Sequence, residues 1–144
     1  DELYPDWIGG RELPKTMEEY RTRRAEIQAE ALRTVRNIRY RNPEFDREIT
    51  VTRDGVKEFL NQPHKHGAYK NEMLLRIGEV LEKADYKGWG TYKNDRKPGL
   101  RKSHIFEVRI QGDPSWIIVH EYKDGNTLLH SISDKPTVLK GIKK

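Results

Sequence analysis

The sequence predicts an α+β domain in which N-terminal helices pack on one face of a small, mainly antiparallel sheet. Three stretches carry that expectation. Residues 103–133 run SHIFEVRI, QGDP, SWIIVHEY, KDGN, TLLHSIS, three alternating segments separated by turn-forming clusters, which is the pattern of an antiparallel meander. Thr16 with Glu19 makes a capping box, and no Gly or Pro follows until Pro43, so a long helix is expected over 16–41. Met73, Leu74, Ile77, Val80, Leu81 and Ala84 recur at helical spacing and give a face to lay on the sheet.

In chain order, residues 1–15 are rich in Pro and Gly and lack periodicity, so they read as an irregular arm. A start at Asp1 reads as a fragment of something larger. The long helix carries a loose apolar stripe of Met17, Tyr20, Ala25, Ile27, Leu32, Val35 and Ile38. Its arginines, including Arg21, Arg33, Arg36 and Arg39, read either as a solvated face or as phosphate contacts. The β-branched run 48–52 is a first strand, and Asp54 opens a short helix with Val56, Phe59 and Leu60 that Pro63 ends. Residues 85–89 suit a further short strand. Residues 16–144 thus form one domain, with an α+β body over 48–140.

Register follows if Ile110 pairs with Ser115 across the first turn and Lys123 with Asn126 across the second. Phe106 then faces Val119, Val119 faces His130, and Ile118 faces Ser131. Because side chains alternate with period two, one face collects Phe106, Val108, Ile110, Ile117, Val119, Leu128 and Ile132, with His104, Glu121 and His130 at its edges. The other collects Glu107, Arg109, His120, Tyr122, Ser131 and Ser133 among Ile105, Trp116, Ile118 and Leu129. A carboxylate, a guanidinium, an imidazole and hydroxyls within cross-strand reach make an acid/base and anion-stabilising set. The plain alternative is a solvated outer face.

At 144 residues the chain is one domain's worth, and 28 Lys and Arg against 23 Asp and Glu leave a formal charge of +5. That balance favours an anionic partner, nucleic acid foremost. The absence of cysteine excludes disulfides, cysteine metal sites and a cysteine nucleophile. No apolar run reaches membrane-spanning length and no signal peptide opens the chain, so no membrane partner and a cytoplasmic location are expected. His64 and His66 have a spacing that suits metal on a strand, but no third ligand stands near. Neither a metal nor a cofactor is expected, and imidazoles beside Lys65 and Lys70 suit phosphate chemistry without one. Residues 88–102 set Trp89 and Tyr92 among Lys93, Arg96, Lys97, Arg101 and Lys102, the composition of a nucleic-acid loop or of a solvated connection.

The order of helix, strand, QPHKH with KNE, then HIFEVRI, SWIIVHEY and LLHSIS resembles the phage-associated branch of the BECR nucleases, which joins barnase, EndoU, colicin and RelE-like domains. The likeness covers residues 48–140. It implies N-terminal helices on a four-stranded antiparallel sheet and a metal-independent endoribonuclease, the toxin-like terminal effector domain of a phage or mobile-element protein. Its implied partners are RNA and either a cognate inhibitor or a larger parent polypeptide, with delivery alongside a phage particle.

Family-type active residues map to His64, Lys70, His104, Glu107 and Ser131. Glu107 or a histidine would take the 2′ proton, His104 or His64 would protonate the leaving oxygen, and Lys70 and Arg109 would stabilise charge. Ser131 would donate a hydrogen bond. Substrate binding falls to Trp89, Arg96, Lys97, Arg101, Lys102 and Arg109. The register sets His104 on the core parity, at odds with that scheme. A noncatalytic nucleic-acid-binding module and a structural adaptor of a phage or mobile-element protein are the alternative readings, since binding alone needs cations but no acid/base set.

Overall fold

A computed structural model of the chain describes residues 12–91 and 98–144. Arg96 and Lys97, and most of the expected arm, lie outside the described residues. Helix α1 (Met17–Thr34) begins where the capping box put it: Thr16 Oγ accepts from Glu19 N at 3.0 Å, and Glu19 Oε1 accepts from Lys15 N at 2.7 Å. It ends well short of residue 41. Asn37 adopts a left-handed conformation with φ 66, which turns the chain back. Arg39–Tyr40 then forms β1, antiparallel to β2 (Ile49–Thr50).

Helix α2 (Arg53–Asn61) is capped by Thr52 rather than Asp54, the Thr52 hydroxyl accepting from Gly55 N at 3.1 Å. Helices α3 (Gly67–Met73) and α4 (Ile77–Lys83) follow, joined by a single 3-10 turn. Strands β3 (Asp85–Thr91), β4 (Leu100–Ile110), β5 (Asp113–Tyr122) and β6 (Thr127–Ser133) complete a sheet of order β1-β2-β6-β5-β4-β3. The sheet therefore has six strands rather than the expected four. It is mixed rather than wholly antiparallel, because β2 lies parallel to β6. The extra pair exists because the turn at Asn37 delivers β1 to the edge of β2.

The first hairpin is tighter than expected. Gln111 and Gly112 both take positive φ, 52 and 82, and make a two-residue turn, so Ile110 pairs with Asp113 and Phe106 with Ile117. The shift from the expected register is two residues, which preserves parity, so every side chain of β4 and β5 keeps its expected face. The second connection differs in another way. Its only left-handed residue is Gly125, with φ 92, and Glu121 pairs with Thr127. That register is one residue off the expected one near the turn. A bulge then restores it, with Ile118 opposite Ser131 as expected. His130 is the extra residue of the bulge. Leu129, not Leu128, consequently joins the core, and His130 leaves the core-side edge.

Helices α1 to α4 pack on one face of the sheet. Phe106, Val108, Ile117, Val119, Leu129 and Ile132 are buried against Ile27 and Ala31 of α1, Val56 and Phe59 of α2, and Met73, Ile77 and Leu81 that follow. Each such side chain contributes about 1.5 to 3 kcal/mol of burial. Arg23 of α1 grips Glu72 of α3 in a two-pronged pair, Nε at 2.6 Å and Nη2 at 2.9 Å. Among the described residues none of α1 to α4 lies on the opposite face, which carries only the short 3-10 helix Pro136–Leu139 of the C-terminal segment. That segment crosses the face and pairs with β3, where Trp89 and Lys143 exchange two backbone hydrogen bonds of 2.7 Å.

Gly88 makes that crossing possible. Its φ is +127, and a Cβ there would sit 2.1 Å from the Lys143 carbonyl oxygen. At Gly90 a Cβ would meet only Ile142, at 3.8 Å. Gly88→Ala is expected to cost roughly 2 to 4 kcal/mol, from left-handed strain and the lost pairing, while Gly90→Ala stays within about 0.5 kcal/mol. Denaturant unfolding of the two variants, with amide exchange at Trp89 and Lys143, checks the contrast.

Candidate functional site

The open face of the sheet holds a cleft of about 380 Å3. Ile105 of β4 and Ile118 of β5 are cross-strand partners and form its floor. Ser103, His120, His130 and Ser131 stand around them, Gly90 and Thr91 border the β3 side, and Gln62, Val138, Lys140 and Ile142 close the rim. His120 and Ser131 are buried, at 3% and 4% exposure. The rings of His120 and His130 stack with centroids 3.9 Å apart and an interplanar angle of 17°. The bulge at His130 creates this pairing, because a regular strand would direct His130 to the helix side. A second cleft, about 480 Å3, lies beyond the same two histidines toward Thr52 and Lys57 of the α2 N-terminus. The stacked pair is thus the ridge between two halves of one groove.

Two stacked imidazoles repel if both carry a proton. Two imidazoles with hydroxyls alongside are the kinds of group that acid/base chemistry uses. Glu107 shares this face but sits further along β4, outside the cleft lining, where its Oε1 accepts from the Trp116 indole at 2.9 Å. Arg109 is exposed at the hairpin end and donates to the Gly112 carbonyl at 2.8 Å.

His104 lies on the other face, as its parity requires. Its Nε2 is 2.8 Å from Glu121 Oε1 and its Nδ1 2.8 Å from the Tyr86 hydroxyl, and it packs against Phe45. A carboxylate at Glu121 accepts from Nε2–H, so the neutral ring presents Nδ1 to the Tyr86 O–H. Burial lowers the His104 pKa against the pull of Glu121, and burial raises the Tyr86 pKa to about 12. Burial alone would raise Glu121, but the His104 hydrogen bond and Arg47 hold it below its ordinary value. Arg47 and Arg101 approach its second oxygen at 3.6 and 3.7 Å. Trp89 lies at the same end of the sheet, with Lys102 Nζ 4.2 Å and Lys143 Nζ 5.3 Å from its ring centroid.

His64 and Lys70 occupy two further places. His64 Nδ1 accepts from His66 N at 2.8 Å, so in the neutral ring Nε2 carries the hydrogen and donates to Ser115 Oγ at 2.7 Å. Burial lowers its pKa to about 4, and both nitrogens are engaged. His66 Nε2 pairs with Asp113 at 2.7 Å beside it. Lys70 is fully buried, its Nζ donating to the Phe59 and Leu60 carbonyls at 2.9 and 3.1 Å. That is the C-terminal end of α2, where cations are favoured. Burial and the nearby Arg24 nevertheless lower its pKa to about 7.

The structure therefore does not gather His64, Lys70, His104, Glu107 and Ser131 into one site. Ser131 lies in the cleft and Glu107 on the same face, whereas the other three serve separate places on the helix side. Sequence reasoning placed His120 on the correct face and missed His130. No sequence signal marked it, because Leu128 and Ile132 fit a regular alternation, and the bulge that turns Leu129 to the core is seen only in the fold.

Fold and site together define an α+β domain with a net positive charge and a histidine-bearing groove on the open sheet face, bordered at one side by α2. The model of one family, large polyvalent protein-associated domain 3, matches residues 18–129, and the chain belongs to that family. It is a phage-associated domain of polyvalent proteins. No curated protein and no solved structure matches the chain. Among the described residues no helix is long and apolar enough to cross a membrane, and no three His, Asp or Glu are grouped to hold a metal.

Lys70 gives stability a defined pH dependence. Its folded pKa of about 7 lies below the ordinary lysine value of 10.5, so between those values the unfolded chain holds more protons and stability rises with pH. Lys70→Met is expected to abolish that rise, and His64→Gln to flatten the loss of stability as pH falls from 6.5 toward 4. Urea unfolding from pH 4 to 10 reads both slopes.

Proposed function

We propose that the domain is a metal-independent endoribonuclease whose site is the open-face groove, acting as the effector domain of a phage or mobile-element protein. The observation that carries this reading is the stacked His120 and His130 pair beside Ser131 and Ser103 in a cleft that α1 to α4 leave uncovered. The positive balance of the chain favours a polyanion as partner.

In this mechanism the 2′-oxygen attacks phosphorus and its proton passes to the neutral imidazole of the pair. The bond from phosphorus to the 5′-oxygen breaks, and that oxygen takes a proton from the protonated imidazole. The products are a 2′,3′-cyclic phosphate and a 5′-hydroxyl. Ser131 and Lys140 stabilise the charge that develops on the phosphoryl oxygens. His64, Lys70 and His104 act in this scheme as positioning residues: they hold the loop at 62–66, the end of α2 and the end of β5. Glu107 fixes Trp116 on the same face, further along the path of the RNA.

The purified chain is expected to cut single-stranded RNA in the presence of EDTA and leave cyclic phosphate ends. His120→Ala and His130→Ala should each lower the rate by roughly 100-fold or more, with melting temperature and RNA affinity nearly unchanged. Activity lost to chelator and restored by a divalent ion would overturn the metal-free mechanism. Salt-dependent RNA binding with no cleavage under any condition would leave a binding module in its place.

A further inference from the structure

We propose that the open-face cleft is a nucleobase pocket, seating one unstacked base of single-stranded RNA on the Ile105 and Ile118 floor with its edge against Ser103 and Gln62. This rests on the groove being the RNA site and adds what it recognises. The floor is flat and apolar because Gly90 on the neighbouring strand brings no side chain over it. Val138 and Ile142 add apolar side chains to the lining, and His120, His130, Ser103, Ser131 and Gln62 bring polar groups to it. That distribution suits a planar heteroaromatic ring, apolar on its faces and hydrogen-bonding around its rim.

Ser103 supplies a second, independent sign. Its Oγ is buried and has no hydrogen-bond partner among the described residues. A buried hydroxyl without a partner is uncommon and costly unless something satisfies it. Gln62 spends one amide N–H on Glu58 Oε2 at 2.6 Å, which leaves its carbonyl oxygen and its second N–H for a ligand. The hydroxyl and the amide together present donors and acceptors to a base edge. At about 380 Å3 the cleft is near the small end of ligand pockets, which begin at roughly 300 Å3. It fits one nucleotide and not a stacked pair. A duplex presents no free base face, so paired RNA is excluded from the seat.

Equilibrium titration of the full chain with 2′-O-methyl trinucleotides tests the pocket without cleavage, because the blocked oxygen cannot attack. The four homotrinucleotides are compared with an abasic trinucleotide bearing the same phosphates. At least one base-bearing trimer is expected to bind about tenfold or more tighter than the abasic one. Ser103→Ala and Gln62→Leu should shrink the differences among the four. Ile118→Trp, which fills the floor, should bring every trimer to the abasic level, and Gly90→Leu does the same from the β3 side if the first variant fails to fold. Equal affinity for abasic and base-bearing trimers, or filled variants that still prefer bases, overturns the proposal. A chain that distinguishes bases yet never cuts RNA keeps the pocket and loses the nuclease, and a chain that cuts RNA without preferring bases does the reverse.

Discussion

Alternation along β4 and β5, with helices α1 to α4 committed to one face, is the constraint on which the rest of the molecule depends. Phe106, Val108, Ile117 and Val119 are buried on the helix side, and the parity that sends them there sends Ser103, Ile105, Ile118 and His120 to the other. The second face is left to the C-terminal segment, which walls the cleft with Val138 and Ile142 without sealing it. A groove results because a single segment, a short 3-10 helix followed by one bridge to β3, covers less of a sheet than a helix layer does.

The polar groups buried on the helix side have a different logic. Buried side chains that can ionise are costly unless paired, and here each one ties an element in place. His104 and Glu121 join β4 to β5 and reach Tyr86 of β3. Lys70 binds the last carbonyls of α2. His64 and His66 clamp the loop after α2 onto Ser115 and Asp113 of β5. The two sets sit at opposite ends of β4 and β5. His104 pairs with Val119 and Ser115 with Val108, four residues apart on each strand or roughly 13 Å at the usual strand rise. That separation argues for two structural anchors rather than one acid/base site.

The sequence made much of the fold legible where local chemistry decides. Thr16 and Glu19 marked the start of α1, the periodicity from Met73 to Ala84 marked the face that packs on the sheet, and alternation sorted β4 and β5 correctly even with the turn misjudged. What was hidden depended on longer-range or singular events. Asn37 gives no strong signal for a left-handed turn, so α1 was drawn too long and β1 was missed. The bulge at His130 reversed the first residues of β6, moved Leu129 inward and brought His130 to His120. For the candidate site, Ser131 and its face were readable, but the set of His64, Lys70 and His104 was joined by motif resemblance. The tertiary structure separates residues that only a shared pocket could have united.

The central claim is that RNA meets this domain on the open face of the sheet. Backbone amide chemical shifts recorded during titration with a non-cleavable 2′-O-methyl RNA locate that contact directly. The account predicts that the largest changes fall on Ser103, Ile118, His120, His130 and Ser131, with α1 nearly silent. Changes concentrated on Arg21, Arg33 and Arg36 of the helix layer, with the open face unmoved, would contradict it.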